Sequence, residues 1–423
     1  MIGIIGDDLT GCTDIAILFK NYGLKVIIYN DLPKHVPTDL DVIVINTESR
    51  FIDANEAYKR VYEATLHLKQ LKCKQFFNKT CSVFRGNIGS EFDAMIDALR
   101  VEHAYVVLGY PRNGRTTLLG KHYVHDILLG ESQFKNDPMN PMSESTLTEI
   151  IQQQSKYKAY AVTYLDLDKG FPYLANLVNS LKSDFTYFCF DIRDDQDFLT
   201  IYQLIKNEIM ICGAAQIGEL FASDGYQNSI VSPLYPNETE NKKVLILSGS
   251  VTIQTKQQIF DYQKYGDVFY INPFDFIDES SRKEAMKKTI SYACHHLQTK
   301  DSVLLAFEGA GDAEKVTQSK AAAKNANLSE YEFTKLLSSS LAIIAKEIIN
   351  HQNIHNIIVL GGDTSYSFCE EFGITHFEVI EEIEAGIASA YYAPLDFTMI
   401  LKSGSFGTTQ FLKTALTSLL KRH

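Results

Sequence analysis

The sequence has no CxxC pair, no apolar run near the ~20 residues that a membrane helix needs, and no clustered stripe of basic residues. Its seven cysteines are scattered, which argues against a zinc site or a disulfide framework and favours a reducing cytoplasm. A net charge of −12 argues against nucleic acid or an anionic membrane as the main partner. The N-terminal stretch MIGIIGDD lacks a basic flank and a long apolar core, so we expect no secretory signal.

The chain is also poor in proline, with 10 residues, and 45% of it is hydrophobic against 22% charged, which excludes disorder as the dominant state. Because 423 residues exceed what one hydrophobic core usually organises, two domains are expected. The stretch SPLYPNETENKK at 232–243 has the proline, asparagine and charge content of a linker. We therefore predict a domain boundary near residue 240.

Short β-branched runs alternate with amphipathic stretches on both sides of that boundary. Helical spacing is clear in ANEAYKRVYEATLHLKQL, and a longer helical run lies near 327–350. Alternating strands and helices indicate right-handed βαβ crossovers and mostly parallel sheets. Strands are predicted at 25–29, 41–45, 74–78, 104–109, 159–165, 187–191, 244–250, 267–271, 302–307, 356–362 and 397–407.

The predicted fold class is therefore α/β, with two domains, each a mostly parallel sheet flanked by helices, and a ligand cleft between them. The domains are predicted to span residues 1–235 and 241–423. One segment interrupts the alternation, because residues 110–145 show no confident helix or strand. A structureless stretch of that length is either functional or misinterpreted.

Three strand ends in the second half share one pattern, in LILSGS, IIVLGGDTS and MILKSGSFG. Each is an apolar strand followed by small or hydroxyl residues and a helix start, which leaves backbone N–H groups free for a phosphate. Glycine and serine there are also ordinary turn and N-cap residues. No GxxxxGK[ST] occurs, and EGAGDAEK is not GxGxxG, which weakens a dehydrogenase interpretation.

Cations, amides and hydroxyls follow several strands of the first half and could hold a small polyhydroxy acid. The alternative is that the arginines are solvated loop residues paired with nearby acids, which we weigh most heavily for Arg112 and Arg50. The candidates are Ser49, Arg50, Lys79, Thr80, Ser82, Arg85, Asn87, Arg112, Asn113 and Arg115.

Asp7 and Asp8 stand side by side at the end of the first predicted strand. A carboxylate there could accept hydrogen bonds from sugar hydroxyls, and one could take a proton from an attacking hydroxyl. Alternatively, Asp8 could cap the helix that starts near Thr10. Because adjacent strand residues point oppositely, the two aspartates need not share a role.

These motifs, in this order, resemble the four-carbon acid sugar kinases, which include the D-threonate, D-erythronate and 3-oxo-tetronate kinases. GDDLTGCTDIA resembles the family's ADDLTGANDTG, and NKTCSVFRGNIGSEFDA resembles KKTDSTLRGNIGAELDA. LILSGSVTIQTKQQI, VLGGDTS and LKSGSFG are similar to SGSCSPATRRQI, GGETS and LKSGNFG. The long loop that begins with YPRNGRTT is also similar to one in the family, so the resemblance runs nearly end to end.

The resemblance implies an N-terminal sugar-acid-binding domain, a C-terminal ATP-binding domain that works with Mg²⁺, and phosphorylation of the terminal C4 hydroxyl. On the substrate side it points to Asp7, Asp8, Arg85, Asn113 and Arg115, beside which the residue patterns add Lys79, Ser82 and Arg50. Asp8 is the candidate base, and Asp7 would hold a substrate hydroxyl or a metal-bound water. The implied ATP contacts, with the turn residues next to them, are Ser248, Gly249, Ser250, Gly361, Gly362, Asp363, Thr364 and Gly404.

Two departures from the family pattern leave the accepted acid open among threonate, erythronate and 3-oxo-tetronate types. Cys81 stands where the family usually has Asp, and Val83 stands where it has Thr. The departure at Cys81 supports a rival hypothesis, a catalytically silent sugar-acid sensor, and a nucleotide-dependent oxidoreductase is a weaker rival. The expected partner is a small-molecule sugar acid, with no nucleic acid and no membrane, and a homodimer is the assembly considered.

Overall fold

Strand and helix alternate through both halves of the computed structural model, which describes residues 1–137, 139–224 and 242–420. The chain divides into two units, residues 1–231 and 232–423. Apart from its last two residues, the linker predicted at 232–243 lies outside the described residues. Each unit is an α/β layer structure, as the sequence pattern predicts.

The first unit is built on a parallel sheet with the strand order β2-β3-β1-β4-β11-β5-β10-β9. Most of its strands are buried along their whole length, as in β3, because helices cover both faces of a parallel sheet. The strands of this sheet are β1 (Ile2–Gly6), β2 (Val26–Tyr29), β3 (Val42–Asn46), β4 (Gln75–Lys79), β5 (Ala104–Val107), β9 (Ala159–Val162), β10 (Tyr187–Phe190) and β11 (Met210–Gly213).

Amphipathic helices cover this sheet. In α2 the buried positions Ala57, Val61, Ala64 and Leu68 recur every three or four residues, which places them on one face, and Asp53 caps the first turn. The helices of the unit are α1 (Leu9–Asn21), α2 (Ala54–Gln70), α3 (Ile88–Leu99), α4 (Leu147–Gln152), α5 (Tyr164–Leu167), α6 (Phe171–Leu181), α7 (Asp195–Ile205) and α8 (Gly218–Ser223).

The segment 110–145 does contain regular structure, so the expectation of no helix or strand is wrong. It forms a small antiparallel sheet of β6 (Arg115–Leu118), β7 (Lys121–Val124) and β8 (Ile127–Leu128), followed by short 3₁₀ turns. Its strands are two to four residues long and mix charged with apolar side chains, so they lack the period-two pattern that identifies a strand.

The second unit has the strand order β13-β14-β12-β15-β18-β17-β16. Its strands are parallel from β13 to β18, whereas β17 and β16 join antiparallel at the β18 side. The strands are β12 (Val244–Ser248), β13 (Val268–Ile271), β14 (Ser302–Phe307), β15 (Asn356–Leu360), β16 (His376–Glu384), β17 (Ile387–Tyr392) and β18 (Phe397–Lys402).

Helices separate most of these strands, and side chains fix where they begin. Ser329 and Glu332 form a reciprocal capping box at the start of the long helix α12, and Asp278 caps α10 through two backbone N–H groups. The helices are α9 (Ile253–Tyr262), α10 (Glu279–His296), α11 (Ala313–Asn325), α12 (Glu330–Gln352), α13 (Gly362–Glu371) and α14 (Phe411–Leu420).

The predicted strands are all present, but several end earlier than predicted, most of all the strand predicted at 397–407, which ends at Lys402. The prediction at 159–165 ends as a strand at Val162, because Thr163 and Asp166 form a capping box that starts helix α5. Strands β11, β16 and β17 were not predicted from the sequence. Among the described residues, every helix falls short of the length or apolar content that crossing a bilayer requires.

Candidate functional site

The candidate acid-binding residues of the first unit follow strands whose ends are aligned. Gly6 of β1 pairs with Asn46 of β3 on one side and with Lys79 of β4 on the other. Parallel strands bring their carboxyl ends to one edge of the sheet, where ligands of open α/β sheets bind. The loops after these three strands therefore lie next to one another, and they carry most of the candidate residues.

Asp7 and Asp8 share one arginine from the neighbouring loop. Arg50 donates from Nε and Nη2 to the two oxygens of Asp7, both at 2.8 Å, and from Nη1 to Asp8 Oδ2 at 2.5 Å. The side chain of Arg50 is 9% exposed, so the interpretation of Arg50 as a solvated loop residue is wrong, although it does pair with acids. This cluster joins the ends of β1 and β3 through charge-assisted hydrogen bonds.

Asp8 is also the N-cap of helix α1. Its Oδ1 accepts from the N–H of Gly11 at 2.8 Å, and Oδ2 accepts from Thr10 Oγ1 at 3.0 Å. Burial raises the pKa of Asp8, but the charges of Arg50 and Lys79 outweigh burial and hold the pKa below its ordinary value. The carboxylate is therefore ionised at neutral pH.

Lys79 ends strand β4 and approaches the same cluster. Its Nζ lies 3.5 Å from Asp14 Oδ2 and donates to the carbonyl of Thr80 at 3.0 Å. A Cβ on Gly11 would lie 2.5 Å from Asp8 Oδ1 and 3.1 Å from Lys79 Nζ, so only glycine lets the helix start approach these charges. Burial raises the pKa of Asp14 to about 6, with Lys79 opposing it.

Among the described residues, the guanidinium of Arg85 is bound to neighbouring side chains at one end only. Its Nη1 donates to Asp137 Oδ2 at 2.7 Å, Nε lies 3.5 Å from Cys81 Sγ, and the Phe134 ring centroid is 5.3 Å away. Asp137 and Phe134 belong to the segment after β8, so that segment covers Arg85. Burial raises the pKa of the Cys81 thiol, but the charges of Arg85 and Arg50 outweigh it, and the net pKa is below the ordinary value.

Arg115 and Asn113 present buried donors that are not paired. Arg115 is 5% exposed, and its Nη1 donates to the carbonyl of Asn113 and lies 3.4 Å from His125 Nε2. Arg115 Nε and Asn113 Nδ2 are buried and have no hydrogen-bond partner among the described residues. Because burying an unpaired donor costs roughly 1–3 kcal/mol, these two atoms indicate a ligand that accepts from them.

For the candidates Ser82 and Arg112, the structure gives weaker evidence of contact with a ligand. Ser82 is half-buried, and its carbonyl oxygen lies 2.9 Å from His122 Nε2. Arg112 is 48% exposed and pairs with Glu219 at 2.7 Å, as the alternative of a solvated arginine predicts. We therefore place Arg112 outside the candidate site.

The candidate nucleotide residues of the second unit also follow aligned strand ends. Ser248 of β12 pairs with Leu360 of β15, which pairs with Lys402 of β18. The three predicted glycine turns are residues 249–252, 361 and 403–407, and they begin at this one edge. The structure thus brings together the turns that the sequence pattern selected.

Hydroxyl groups connect the first and third of these turns. Thr252 caps helix α9, and its Oγ1 donates to the carbonyl of Gly404 at 2.6 Å. Thr255 Oγ1 lies 3.1 Å from the same carbonyl and donates to Ser250 Oγ at 2.9 Å. Thr252 and Thr255 are functional candidates that we did not select from the sequence, although both lie in the motif that carries the resemblance.

Close backbone packing explains the glycines in the turns. A Cβ on Gly249 would lie 2.2 Å from Thr364 Oγ1, and one on Gly404 would lie 2.4 Å from Ser250 Oγ. Gly361 has a φ of +123°, a conformation that L side chains rarely adopt, and it is the N-cap of helix α13.

Helix α13 directs its first N–H groups to the same edge. Gly362, Asp363 and Thr364 form its first turn, with Asp363 exposed and Thr364 buried. Helix N-termini carry free N–H groups and a partial positive charge, which suit a phosphate. Ser248 Oγ is buried nearby and has no partner within the described part of the chain.

The described residues suit the phosphates of ATP, but they offer no separate site for Mg²⁺. The turn 403–407 and the N-terminus of α13, with its partial positive charge, suit the phosphates of ATP. Within the described ranges, no group of three or more His, Cys, Asp or Glu side chains is arranged to hold a metal. Asp7 and Asp8 are already paired with Arg50, so the cluster in the first unit does not fit Mg²⁺ as a site of its own.

Comparison with known proteins matches a different family to each half of the chain. A family described as a sugar-binding N-terminal domain matches residues 2–243, and one described as a nucleotide-binding C-terminal domain matches residues 245–412. The chain is 28% identical to a 3-oxo-tetronate kinase of Haemophilus influenzae, covering 98% of this chain and 99% of the relative. A 3-oxo-tetronate kinase of Actinobacillus succinogenes is 27% identical, with the same coverage of both chains.

Solved structures agree with the fold. The crystal structure of a Salmonella typhimurium LT2 protein matches with a TM-score of 0.80 at 25% identity, covering 98% of each chain. The crystal structure of a Haemophilus influenzae protein matches with a TM-score of 0.73 at 27% identity, covering 99% of this chain and 100% of that one.

A sugar-binding domain followed by a nucleotide-binding domain defines a phosphotransferase with a hydroxyl group as acceptor. The chain belongs to the four-carbon acid sugar kinase family. The rival hypotheses, a silent sensor and an oxidoreductase, find no support among these relatives.

Proposed function

We propose that this protein uses ATP and Mg²⁺ to phosphorylate the terminal C4 hydroxyl of a four-carbon sugar acid of the threonate, erythronate or 3-oxo-tetronate type. The observation that carries the proposal is the pair of buried, unpaired donors on Arg115 and Asn113, at a sheet edge that also holds the Asp7–Asp8–Arg50 cluster. The names of the relatives, 3-oxo-tetronate kinases, favour a substrate of that class.

The carboxylate of the acid is proposed to bind Arg115, Asn113 and the free end of Arg85. Arg115 Nε and Asn113 Nδ2 each need an acceptor, and a carboxylate offers two oxygens. Arg85 has Nη1 engaged by Asp137, which leaves Nη2 for the acid. Lys79, Ser82 and Arg50 complete the proposed acid side, Lys79 and Arg50 by their charge.

Asp8 is the proposed base, and Asp7 is proposed to hold Arg50 in place beside it. Of the two side chains, Asp8 is 14% exposed and Asp7 is 1% exposed, so the substrate hydroxyl has access to Asp8. The low pKa of Asp8 keeps it ionised, so it can accept the hydroxyl proton as the new P–O bond forms. Asp7 receives two hydrogen bonds from Arg50 and so holds the guanidinium against Asp8.

The phosphates of ATP are proposed to bind the glycine turns of the second unit. The N–H groups of Gly249 and Gly361 already donate to the carbonyls of Leu360 and Lys402, so these two glycines are proposed to line the phosphate site without donating to it. The full set of residues proposed at the site is Ser248, Gly249, Ser250, Gly361, Gly362, Asp363, Thr364 and Gly404. Phosphoryl transfer depends mainly on positioning and on neutralising the charge of the transferred group, which these donors and Mg²⁺ would supply. Mg²⁺ is proposed to arrive bound to the ATP phosphates and water.

Residues 1–235 are proposed to form the domain that binds the sugar acid, and residues 241–423 are proposed to form the domain that binds the nucleotide. A screen of ATP consumption over four-carbon sugar acids tests the function directly. We expect ADP to form with at least one tetronate-type acid, and the product to carry phosphate at C4 by phosphorus NMR. If acids bind but no member of the panel consumes ATP, the kinase assignment is wrong and a sensor is favoured.

A further inference from the structure

Lys402 is a fully buried lysine at the end of strand β18, and the proposed function gives it no role. Its side chain has no exposed surface, and its Nζ donates to the carbonyls of Ser403 at 2.7 Å, Gly404 at 3.2 Å and Phe406 at 3.0 Å. An ammonium group has three N–H donors, so the turn 403–406 satisfies all of them.

These three bonds orient the peptide groups of the turn. In a planar trans peptide the C=O and the following N–H point in opposite directions. Three carbonyls aimed at one ammonium therefore direct the N–H groups of Gly404, Ser405 and Gly407 away from Lys402. Those N–H groups belong to the turn proposed to bind a phosphate.

Lys402 also lies where the three turns are connected. The carbonyl of Gly404 accepts from Lys402 and also from Thr252 and Thr255, which belong to the segment after β12. The backbone carbonyl of Lys402 accepts from the N–H of Gly361 at 2.8 Å, at the start of α13. A change of the Lys402 side chain would therefore act on the turn 403–407 and, through the carbonyl of Gly404, on the turn after β12.

We infer that Lys402 is a positioning residue for the nucleotide: its ammonium fixes the turn 403–407 so that the N–H groups of the turn face the phosphates of ATP. This inference rests on the proposed function. Lysine is an unfavourable choice for a buried site, because burying a charge without a paired carboxylate costs free energy. Two interactions favour the buried lysine: its hydrogen bonds to three carbonyls, and the attraction of its positive charge for the phosphates proposed to bind at this turn.

The protonation of Lys402 gives the inference a distinctive signature. Burial lowers the pKa of Lys402 to about 7, while the charge of Glu384 opposes this effect. Glu384 accepts from the N–H and Oγ1 of Thr408, and α14 presents the Phe411 ring 5.8 Å from Nζ. A bound polyphosphate would raise the pKa of Lys402, so above pH 7 ATP binding should take up a proton at this residue.

Calorimetry on the full-length protein tests the inference with Mg-ATP as the probe. We expect Lys402→Met to raise the Kd for ATP by ~10–100-fold, since charge-assisted hydrogen bonds to the turn are lost, while the KM for the acid stays within about twofold. Lys346→Met is the matched control: Lys346 donates to the carbonyl and carboxylate of Glu371, at the far end of α13. That variant should bind ATP like the wild type.

Proton uptake supplies the second measurement, which also works on the wild type if Lys402→Met does not fold. At pH 8 the binding enthalpy of the wild type should differ between buffers of different ionisation enthalpy, with the sign of proton uptake, and in a folded Lys402→Met variant this uptake should be lost. Wild-type binding without proton uptake, or equal ATP affinity in a folded Lys402→Met variant, would overturn the role of Lys402 alone. A wild type that binds no ATP would overturn both this inference and the proposed function.

Discussion

Among single residues, Asp8 has two tasks that a conservative substitution can separate. Asparagine caps a helix nearly as well as aspartate, but it cannot accept a proton. We therefore expect Asp8→Asn to keep the ATP affinity close to wild type, while turnover falls by ~10²–10⁴ and the melting temperature falls because the ion pair with the buried Arg50 is lost. The matched control is Asp278→Asn, which changes an exposed cap of α10 in the second unit and should leave turnover unchanged. A fully active Asp8→Asn enzyme would reduce Asp8 to a helix cap.

Arg115 and Arg112 form a matched pair in one short segment. Arg115 is buried with an unpaired Nε, whereas Arg112 is half-exposed and paired with Glu219. Arg115→Ala should raise the KM for the acid by ~10–150-fold and leave the KM for ATP unchanged, because a charge-assisted hydrogen bond to the carboxylate is lost. Arg112→Ala should change both constants by less than about twofold. Equal changes of both constants in Arg115→Ala would place Arg115 outside the acid site.

The sequence identifies Asp7 and Asp8 as unusual because two like charges stand at a strand end. It does not identify Arg50 as their shared partner, because that contact joins positions 43 residues apart and depends on β3 lying beside β1. The surroundings of Lys402 are likewise not visible in the sequence. Lys402 lies in the motif LKSGSFG, but the burial of its side chain and the carbonyls around it are products of the fold.

At the level of elements, helix α13 makes a specific prediction. Its first residue, Gly362, lies where the helix N-terminus is proposed to meet a phosphate. Gly362→Val should abolish ATP binding, because the side chain would fill the space that the phosphate approaches, while the acid still binds. Calorimetry with each ligand measures this, and the melting temperature verifies that the variant is folded. Unchanged ATP affinity in a folded variant would contradict the assignment.

Strands differ in how well the sequence predicts them. Buried runs such as those of β3 and β12 are continuous and apolar, which is typical of the inner strands of a parallel sheet. Strand β16 carries several glutamates among its apolar residues, which hides the strand pattern. The length of β11 does not explain why it was missed, because predicted strands such as β2 and β5 also have four residues. Short or charged strands are stabilised by pairing with neighbours that are distant in the chain, and local patterns do not reveal that pairing.

At the scale of the whole molecule, the two ligands should stabilise the protein independently. A ligand that binds only the folded state at 100 times its Kd adds about 2.7 kcal/mol to the free energy of unfolding. We expect Mg-ATP and the acid each to raise the melting temperature of the wild type. Gly362→Val should lose only the shift with ATP, and Arg115→Ala should lose most of the shift with the acid. A variant that loses both shifts would contradict the assignment of one ligand to each domain.

The small sheet β6–β8 has a consequence for how substrate preference can change over evolution. The segment that contains it carries Asn113 and Arg115 and supplies Asp137 to Arg85, yet the parallel sheet is complete without it, because β5 pairs directly with β10 and β11. Its contacts with the rest of the unit include the backbone pairing of Thr117 with Ile192 and the N–H groups of Leu119 and Gly120, which donate to Asp191. In the proposed function, the segment 110–145 is therefore where a change of sequence should alter the accepted acid, while the turns proposed to bind ATP keep their structure.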